Sequence, residues 1–521
     1  MLVFSRIFLP LLAALFIHGA AASPFPKASD EPERDARGEK WDLTAQARFR
    51  TTGQTDFILD RLGTTSGQGL WHETRLRLGG RLQISEAVSI TAQMDALSGL
   101  AAGDTTPVGT ARGDDTLAYP LDRRFGGGAI LPRMLYATIR LPVGQMQIGQ
   151  QSFSWGLGML ANDGQGEPDF GDHRGGSLVH RALFATQPFA PRGSGGDTPR
   201  NLTVFLALDH VFQDPNADFL LGDRAYQTVL GVRGGDARMQ FGAYQGLRLQ
   251  EDRSDPAMPE RATGILAATT NAFGSLPILT VGEAGEVRVE GEGALILGKT
   301  DRPYLEETHE AGAAIRALGG ILRLRYDDEA RRTSVSLETG LASGDNDPRD
   351  ATVRDFSFHP NYKVGLLLFD QYLARLSARS IDRVVSPELL AEPPPSTRFL
   401  ATQGAVTGTV YFNPVARWRP TEVLELRAGY LFAMSAGDLV DAYETANNGG
   451  YNASYGGGTG SNILGHEVNL AARVRLPLPA QVVLRFGADG GVLFPGKAFS
   501  GLGGSRPDPV YGGRLLADLA Y

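Results

Sequence analysis

From Trp41 to the end of the chain, apolar and polar residues alternate with a period of two, which predicts β-strands rather than helices. In residues 71–84, four aliphatic residues alternate with three arginines and a glutamine. Segments 41–50 and 88–97 likewise have apolar residues on one face and polar residues on the other. A sheet with one apolar face and one charged face suits a barrel that stands between lipid and a watery lumen.

The alternation predicts about 18 strands, an even number that brings both ends of a bacterial barrel to the same side of the membrane. The predicted strands cover residues 41–50, 71–84, 88–97, 133–141, 145–153, 177–186, 201–210, 224–233, 237–249, 277–282, 286–298, 311–326, 333–342, 405–418, 422–433, 466–476, 480–489 and 511–521. The tenth, 277–282, has the weakest alternation and is included partly for parity. We therefore predict an all-β, antiparallel up-and-down transmembrane barrel with both termini in the periplasm.

The lengths of the connections support this prediction, because periplasmic turns are short and external loops are long in such barrels. The short connections are 85–87, 142–144, 234–236, 283–285, 327–332, 419–421 and 477–479. They alternate with long ones at 51–70, 98–132, 154–176, 250–276, 343–404, 434–465 and 490–510. The connection 187–200 is the exception, since it is long where a turn is expected.

The connection 343–404 is much longer than the others, and loops of this size are generally functional or disordered. Inside it, Leu366, Phe369, Leu373 and Leu376 recur at helical spacing. An apolar helix outside the cell would be an exposed patch. The segment is therefore expected either to fold into the barrel mouth as a constriction or plug, or to cap the rim or contact a neighbouring protomer.

The first residues predict export from the cytoplasm. Arg6, an apolar run over 7–17 and the small residues 20–22 form a signal peptide, 1–22, and residues 23–40 are a Pro- and charge-rich disordered lead-in to a barrel at 41–521. No later stretch approaches the roughly 18 apolar residues of a membrane helix. The chain has no cysteine, which excludes disulfides and thiolate metal sites. The expected location is the bacterial outer membrane.

The face of each strand opposite the apolar one would line the lumen, and it is rich in arginine. The candidate pore-lining residues are Arg48, Arg50, Arg75, Arg77, Arg81, Arg140, Arg288, Arg323, Arg325, Arg417, Arg427, Arg473, Arg475, Arg485 and Arg514. Inward acids are fewer: Asp95, Glu290, Glu292, Glu338, Glu425, Glu467, Asp489 and Asp518. A basic wall in a chain of net charge −8 favours anions, because guanidinium groups bind carboxylates and phosphates in forked pairs. Arginine–acid ladders can also brace a wall without selecting any solute.

Other motifs in the sequence give weaker evidence about function. Asp345 and Asp347 could hold Ca²⁺ or simply form a turn. Trp155-Gly-Leu-Gly158 suits a tight turn with an interfacial tryptophan, or a loop that contacts solute. The histidines lack metal-ligand spacing and no Ser/His/Asp set stands out, so we expect no cofactor and no enzymatic activity. No basic stripe is available for nucleic acid.

The terminal strand 511–521 alternates to a final aromatic residue, Tyr521. It resembles the C-terminal signal by which bacterial outer-membrane barrels are recognised for assembly. This likeness implies the barrel-assembly machinery as a partner, in addition to outer-membrane lipid.

Three further segments carry a family resemblance: 336–345 (SLETGLASGD), 356–358 (FSF) and 365–369 (GLLLF). With them the chain resembles the alginate-export porin family, and Trp155-Gly-Leu-Gly158 is similar to an uncharacterised family of Gram-negative outer-membrane proteins. The first resemblance implies an 18-stranded monomeric barrel with an arginine-lined, loop-occluded pore that exports an anionic polysaccharide. It supplies no matched set of substrate-contacting residues.

The leading hypothesis is a passive outer-membrane channel with a basic lumen that passes anionic solutes or a polyanionic polysaccharide. A second hypothesis is a barrel plugged by 343–404 that serves as a surface adhesin or scaffold. The third is an outer-membrane hydrolase, for which the sequence offers no catalytic constellation.

Overall fold

The computed structural model describes residues 41–105, 108–109, 130–173, 175–189, 202–236, 238–253, 263–302, 312–347, 350–386, 388–390, 397–457, 461–502 and 507–521. The predicted signal peptide, 1–22, and lead-in, 23–40, lie outside the described residues.

Eighteen long strands form a closed antiparallel barrel, as the alternation predicted. They are β1 (Trp41–Gln54), β2 (Leu70–Gln83), β3 (Val88–Gly103), β4 (Ile130–Leu141), β5 (Gly144–Ser152), β6 (Leu178–Thr186), β7 (Thr203–Asp214), β8 (Arg224–Gly235), β9 (Gln240–Glu251), β10 (Gly264–Val281), β11 (Gly285–Thr300), β12 (Ala313–Asp328), β13 (Thr333–Ala342), β14 (Thr409–Trp418), β15 (Leu424–Ser435), β16 (Ile463–Pro477), β17 (Val483–Pro495) and β18 (Val510–Ala520). Two-residue strands at 217–218 and 352–353 join the same sheet.

The barrel closes because β1 pairs with both β2 and β18, with Gln46 opposite Ala520 and Gln54 opposite Gly512. Closure leaves no strand edge exposed to other chains. The even strand number places the start of β1 and the end of β18 at the same end of the barrel, here called the terminal end. The opposite end, which carries the long connections, is called the long-loop end.

The outer surface of the wall is apolar, since Leu135, Leu208, Leu322, Phe412 and Leu515 are all exposed there. In water such a surface would be unstable, whereas in a bilayer lipid is its solvent. A closed barrel with this exterior places the chain in the outer membrane. Among the described residues, no helix has the length and apolar character needed to cross a membrane.

The main difference from the predicted strands concerns β10, which starts at Gly264 rather than near 277. Asn271, Gly274 and Pro277 are typical of turns and hid its first part. The asparagine instead points inward and donates from Nδ2 to Glu292 Oε1 at 2.9 Å, and the pairing with β11 shifts register after Pro277. The long loop predicted at 250–276 is therefore shortened to about 252–263.

Two connections lie against the inner face of the wall: 153–177, between β5 and β6, and 343–408, between β13 and β14. The second, here called the insertion, contains a π-helical turn, Leu368–Leu373, that continues into α1 (Ala374–Val384). Leucines 366–368 and Leu376 belong there to one buried apolar cluster that also includes the wall residues Leu431 and Leu493. Because α1 is buried nearly all round, it behaves as a core helix rather than as a surface helix.

Candidate pore and its lining

The described part of the barrel encloses a cavity of about 3120 Å³. Arg140 and Arg475 border it at the terminal end, and Thr402, Asp438 and Asn452 border it at the long-loop end. Much of its wall comes from β3 to β12. The interior on the side of β14 to β18 is packed with the two inward-folded connections. The open space therefore runs along one side of the barrel.

A buried carboxylate of the wall holds each inward-folded connection by its backbone. On β16, Glu467 accepts the N–H groups of Leu366, Leu367 at 3.0 Å and Leu368 at 2.7 Å. Gly365 makes this possible, since its φ of 73° is left-handed and an added Cβ would lie 2.7 Å from Glu467 Oε1. The carboxylate thus satisfies the free amides at the start of the helical stretch.

On β11, Glu292 has the same role toward the connection 153–177. It accepts the N–H groups of Leu157 at 2.6 Å and Met159 at 3.3 Å, in addition to the Asn271 amide. The side chain is almost fully buried. The Trp155-Gly-Leu-Gly158 turn is therefore fixed to the wall at β11.

Replacing Glu292 with alanine should destabilise the barrel by about 2–4 kcal/mol, because buried amide donors lose a charged acceptor. The measurement is the temperature at which the purified protein loses the fast electrophoretic migration of a folded barrel. Glu286→Ala is the matched control, since Glu286 lies on the same strand and is more exposed. Equal losses in the two variants would contradict the anchoring role.

Trp155 lies inside the barrel and not in an outer aromatic girdle. Its indole Nε1 donates to Asn271 Oδ1 at 2.8 Å, and its ring contacts Phe205, Tyr244 and Phe273. It borders the cavity while being largely buried. This tryptophan therefore packs the inner wall at one edge of the open space.

The fifteen candidate arginines have different surroundings. Those that border the cavity are Arg77, Arg81, Arg140, Arg475 and Arg485. Arg77 and seven further candidates pair with carboxylates of the wall: Arg50 with Glu73, Arg77 with Asp95, Arg48 with Asp518, Arg288 with Glu286, Arg323 with Glu290 and Glu338, Arg325 with Asp327, Arg427 with Glu425, and Arg473 with Asp489. Arg75 donates to Gln46 Oε1 at 3.0 Å.

A further set of partners comes from the inward-folded connections. Arg48 and Arg50 contact Asp172, Arg417 contacts Asp169, Arg427 and Arg473 contact Glu167, and Arg514 contacts Asp370 of the insertion. Burial alone would raise the pKa of Asp172, but Arg48 and Arg50 lower it well below its ordinary value. This carboxylate stays ionised at all but strongly acid pH, so its stabilising contribution is lost only as pH falls below the ordinary range of an aspartate.

Arginines face each other directly across neighbouring strands at four places: Arg48–Arg75, Arg288–Arg325, Arg417–Arg427 and Arg475–Arg485. Like charges directly opposite are unfavourable in a sheet. Carboxylates lie beside at least one member of the first three pairs. For Arg475 and Arg485, no hydrogen bond or ion pair of either guanidinium is found among the described residues, and Asp518, directly opposite Arg485 on β18, bonds Arg48 instead.

Sequence reasoning missed several inward arginines, including Arg133, Arg181, Arg233 and Arg248. Arg181 was hidden because Val179 and Leu183 are apolar and also face inward on β6, so this strand has no polar face. It forms a forked pair with Asp209 at 2.6 and 2.7 Å. Arg133 belongs to the start of β4, before the predicted strand shows clear alternation.

Charges on the cavity wall are unevenly distributed. At the terminal end, Arg81, Arg140, Arg233, Arg475 and Arg485 outnumber the bordering acids Asp42 and Glu86. At the long-loop end, the bordering acids Asp214, Asp345, Asp355 and Asp438 are more numerous than Arg248 and Arg302. Burial lowers the pKa of His359, between these regions, to about 3, so it adds no positive charge at neutral pH. The basic character is concentrated at the terminal end.

Asp345 takes part in a turn at the long-loop end. Its carboxylate oxygens accept the N–H groups of Asp347 at 3.0 Å and Arg354 at 3.1 Å. Among the described residues, no group of three or more acidic or histidine side chains is arranged to hold a metal ion.

Neither a protein-family model nor a curated protein sequence matches the chain. Among solved structures, it is similar to Pseudomonas aeruginosa OccK8 (OprE), with a TM-score of 0.50 and 7% identity over 92% of this chain and 98% of that chain. The outer membrane protein OprD from Pseudomonas aeruginosa gives 0.48 and 11% over 93% and 94%, and Pseudomonas aeruginosa OccK11 (OpdR) gives 0.45 and 12% over 92% and 95%. At this identity, the likeness to OccK8 (OprE) shows a shared barrel fold.

Proposed function

We propose that this barrel is a passive outer-membrane channel for anionic solutes, with its periplasmic mouth at the terminal end. The observation that carries the proposal is the Arg475–Arg485 pair. Both side chains border the cavity, they face each other across β16 and β17, and among the described residues neither guanidinium forms a hydrogen bond or an ion pair, since Asp518, opposite Arg485 on β18, bonds Arg48 instead.

Two guanidinium groups in this arrangement repel each other and attract a shared counter-ion. Their planar donors match carboxylate and phosphate oxygens, and Arg81 and Arg140 add positive charge at the same end of the cavity. A cluster of this kind raises the local concentration of anions and opposes the entry of cations.

Wall bracing accounts for many of the other arginines but not for this pair. Arg50, Arg77 and Arg323 have acidic partners in the neighbouring wall, as expected for a structural ladder. Among the described residues, Arg475 and Arg485 form no ion pair of this kind, although Asp518 lies opposite Arg485 on β18. Passage of anions is therefore favoured over a purely structural role at the terminal end.

The proposal includes a constriction formed by the insertion, whose leucines and α1 fill the space beside the cavity. Export of a polyanionic polysaccharide, which the alginate-export resemblance implies, is a narrower form of the same proposal. It requires a repeating carboxylate polymer to thread the open side of the barrel. Small anions make no such demand on the width of the passage.

Purified protein reconstituted in a planar bilayer tests the proposal. In a KCl gradient, we expect a steady conductance with a reversal potential that indicates preference for chloride over potassium. A clear cation preference would contradict anion passage. Absence of any conductance would instead favour the plugged adhesin or scaffold, and covalent labelling by a serine-reactive probe would favour the hydrolase.

A further inference from the structure

The connection 153–177 places two carboxylates on an arginine group of the wall. Glu167 Oε1 lies 2.7 Å from Arg473 Nε and 3.2 Å from Arg427 Nη2. Asp169 Oδ1 lies 2.6 Å from Arg417 Nε. Arg427 also donates to the backbone carbonyls of Pro168 and Asp169, at 2.7 and 3.1 Å.

These three arginines form one compact basic site. Arg417 and Arg427 are directly opposite on β14 and β15, and Arg473 on β16 is opposite Glu425, two residues before Arg427. Wall acids only partly balance the group, through Glu425 and Asp489. The remaining positive charge is met by carboxylates of the inward-folded connection rather than by the wall itself.

The acidic residues of this connection are not held equally. Asp172 is buried between Arg48 and Arg50. The side chain of Glu167 is 46% exposed and bonds the wall only through its carboxylate. A carboxylate held in this way can be exchanged for another anion at modest cost, because exposed ion pairs contribute little net stability.

The site is next to the arginines of the proposed channel. Arg475, which borders the cavity, follows Arg473 by two residues on the same face of β16. An anion held at Arg475 and Arg485 would therefore lie one step along the wall from Arg473. Arg473 and Arg427 themselves already hold the carboxylate of Glu167.

We propose that Glu167 is an internal substitute for the solute anion, occupying a carboxylate- or phosphate-binding site formed by Arg427 and Arg473. It thereby sets how strongly the channel prefers and retains anions. This inference rests on the proposed function and adds a residue that determines its specificity. Removal of the glutamate charge opens the site to a solute carboxylate or phosphate.

The test measures block of chloride current by added acetate and, separately, by inorganic phosphate in planar bilayers. In Glu167→Gln, we expect block at concentrations about tenfold lower than in the unaltered protein, since a guanidinium pair gains a free anion site. The acetate and phosphate arms distinguish a carboxylate solute from a phosphate. Glu167→Asp, which shortens the reach but keeps the charge, should give a smaller change in the same direction.

Asp163→Asn is the matched control. Asp163 belongs to the same connection, borders the cavity, and accepts an N–H bond from Gln165 without contacting a wall arginine. The proposal is overturned if acetate and phosphate block Glu167→Gln at the same concentrations as the unaltered protein. It is also overturned if Asp163→Asn lowers the blocking concentration as much as Glu167→Gln does. A cation-preferring unaltered channel would refute the proposed function alone, because the difference in block between the two variants would still report on Glu167.

Discussion

Replacing both Arg475 and Arg485 with glutamate is expected to change an anion-preferring channel into a cation-preferring one. The substitution changes the local charge from +2 to −2 beside the cavity, where both residues lie. No native ion pair is broken, because neither guanidinium forms one among the described residues, but Arg485→Glu places a carboxylate opposite the buried Asp518 of β18. This contact costs some stability, so the fast electrophoretic migration of the folded barrel is checked first, and the main effect is expected in selectivity. Reversal potentials in a KCl gradient measure it.

Arg332→Glu is the control, because Arg332 lies in a turn at the same end and contacts the exposed Glu422 at 3.4 Å. It should leave the reversal potential unchanged. Unaltered selectivity in the double variant would refute the role of the pair. Arg77 is another of the candidate pore-lining arginines that border the cavity.

Arg77 is a poor choice, since it forms a forked pair with Asp95 at 2.7 and 2.8 Å. Reversing its charge would bring two buried carboxylates together and cost about 3–5 kcal/mol. A loss of selectivity in that variant would be confounded by misfolding. The partners of each arginine therefore decide which substitutions are informative.

Replacing Glu467 with alanine is expected to release the insertion from the wall and to increase conductance. Three buried N–H groups at the start of the helical stretch lose their charged acceptor, at a cost of about 3–5 kcal/mol. The connection can recover hydrogen bonds to water only by moving away from the wall. Single-channel recordings should show conductance about twofold higher or more, with new transient levels.

Gly365→Ala provides an independent test, because its added Cβ would displace the same carboxylate. Val211→Ala is the control for destabilisation alone, since Val211 is a fully buried, uncharged residue of β7 on the opposite side of the barrel that does not border the cavity. If all three variants change conductance equally, the anchor has no specific role. If Glu467→Ala conducts like the unaltered protein, the insertion does not limit passage.

Local sequence was enough to predict the wall. Strands such as β2 and β18 have one face that meets lipid and one that meets polar groups. Their alternation therefore identifies them as strands without any knowledge of the neighbouring strands. The prediction of strands failed where a strand does not have one clearly apolar face and one clearly polar face. Part of β10 was missed because its inward face carries Asn271 to hold Glu292, and its outward face includes glycine.

The inward-folded connections could not be predicted in the same way. Glu167 and Arg473 are separated by 306 residues, and neither has a local pattern that identifies the other. Likewise, nothing near Glu467 indicates that it will bind the amides of residues 366–368. Such contacts depend on which loop reaches which part of the lumen.

The sequence by itself determined the closed antiparallel barrel, its apolar exterior and the excess of arginine on its inner face, because period-two alternation acts residue by residue. Only the tertiary structure decided which arginines have acidic partners and which face open space. The reason is that pairing of a charge depends on distances between segments far apart in the chain. Arg475 and Arg485 border the cavity without an ion pair among the described residues, whereas Arg427 and Arg473 receive the carboxylate of Glu167 from a connection that lies far away in sequence.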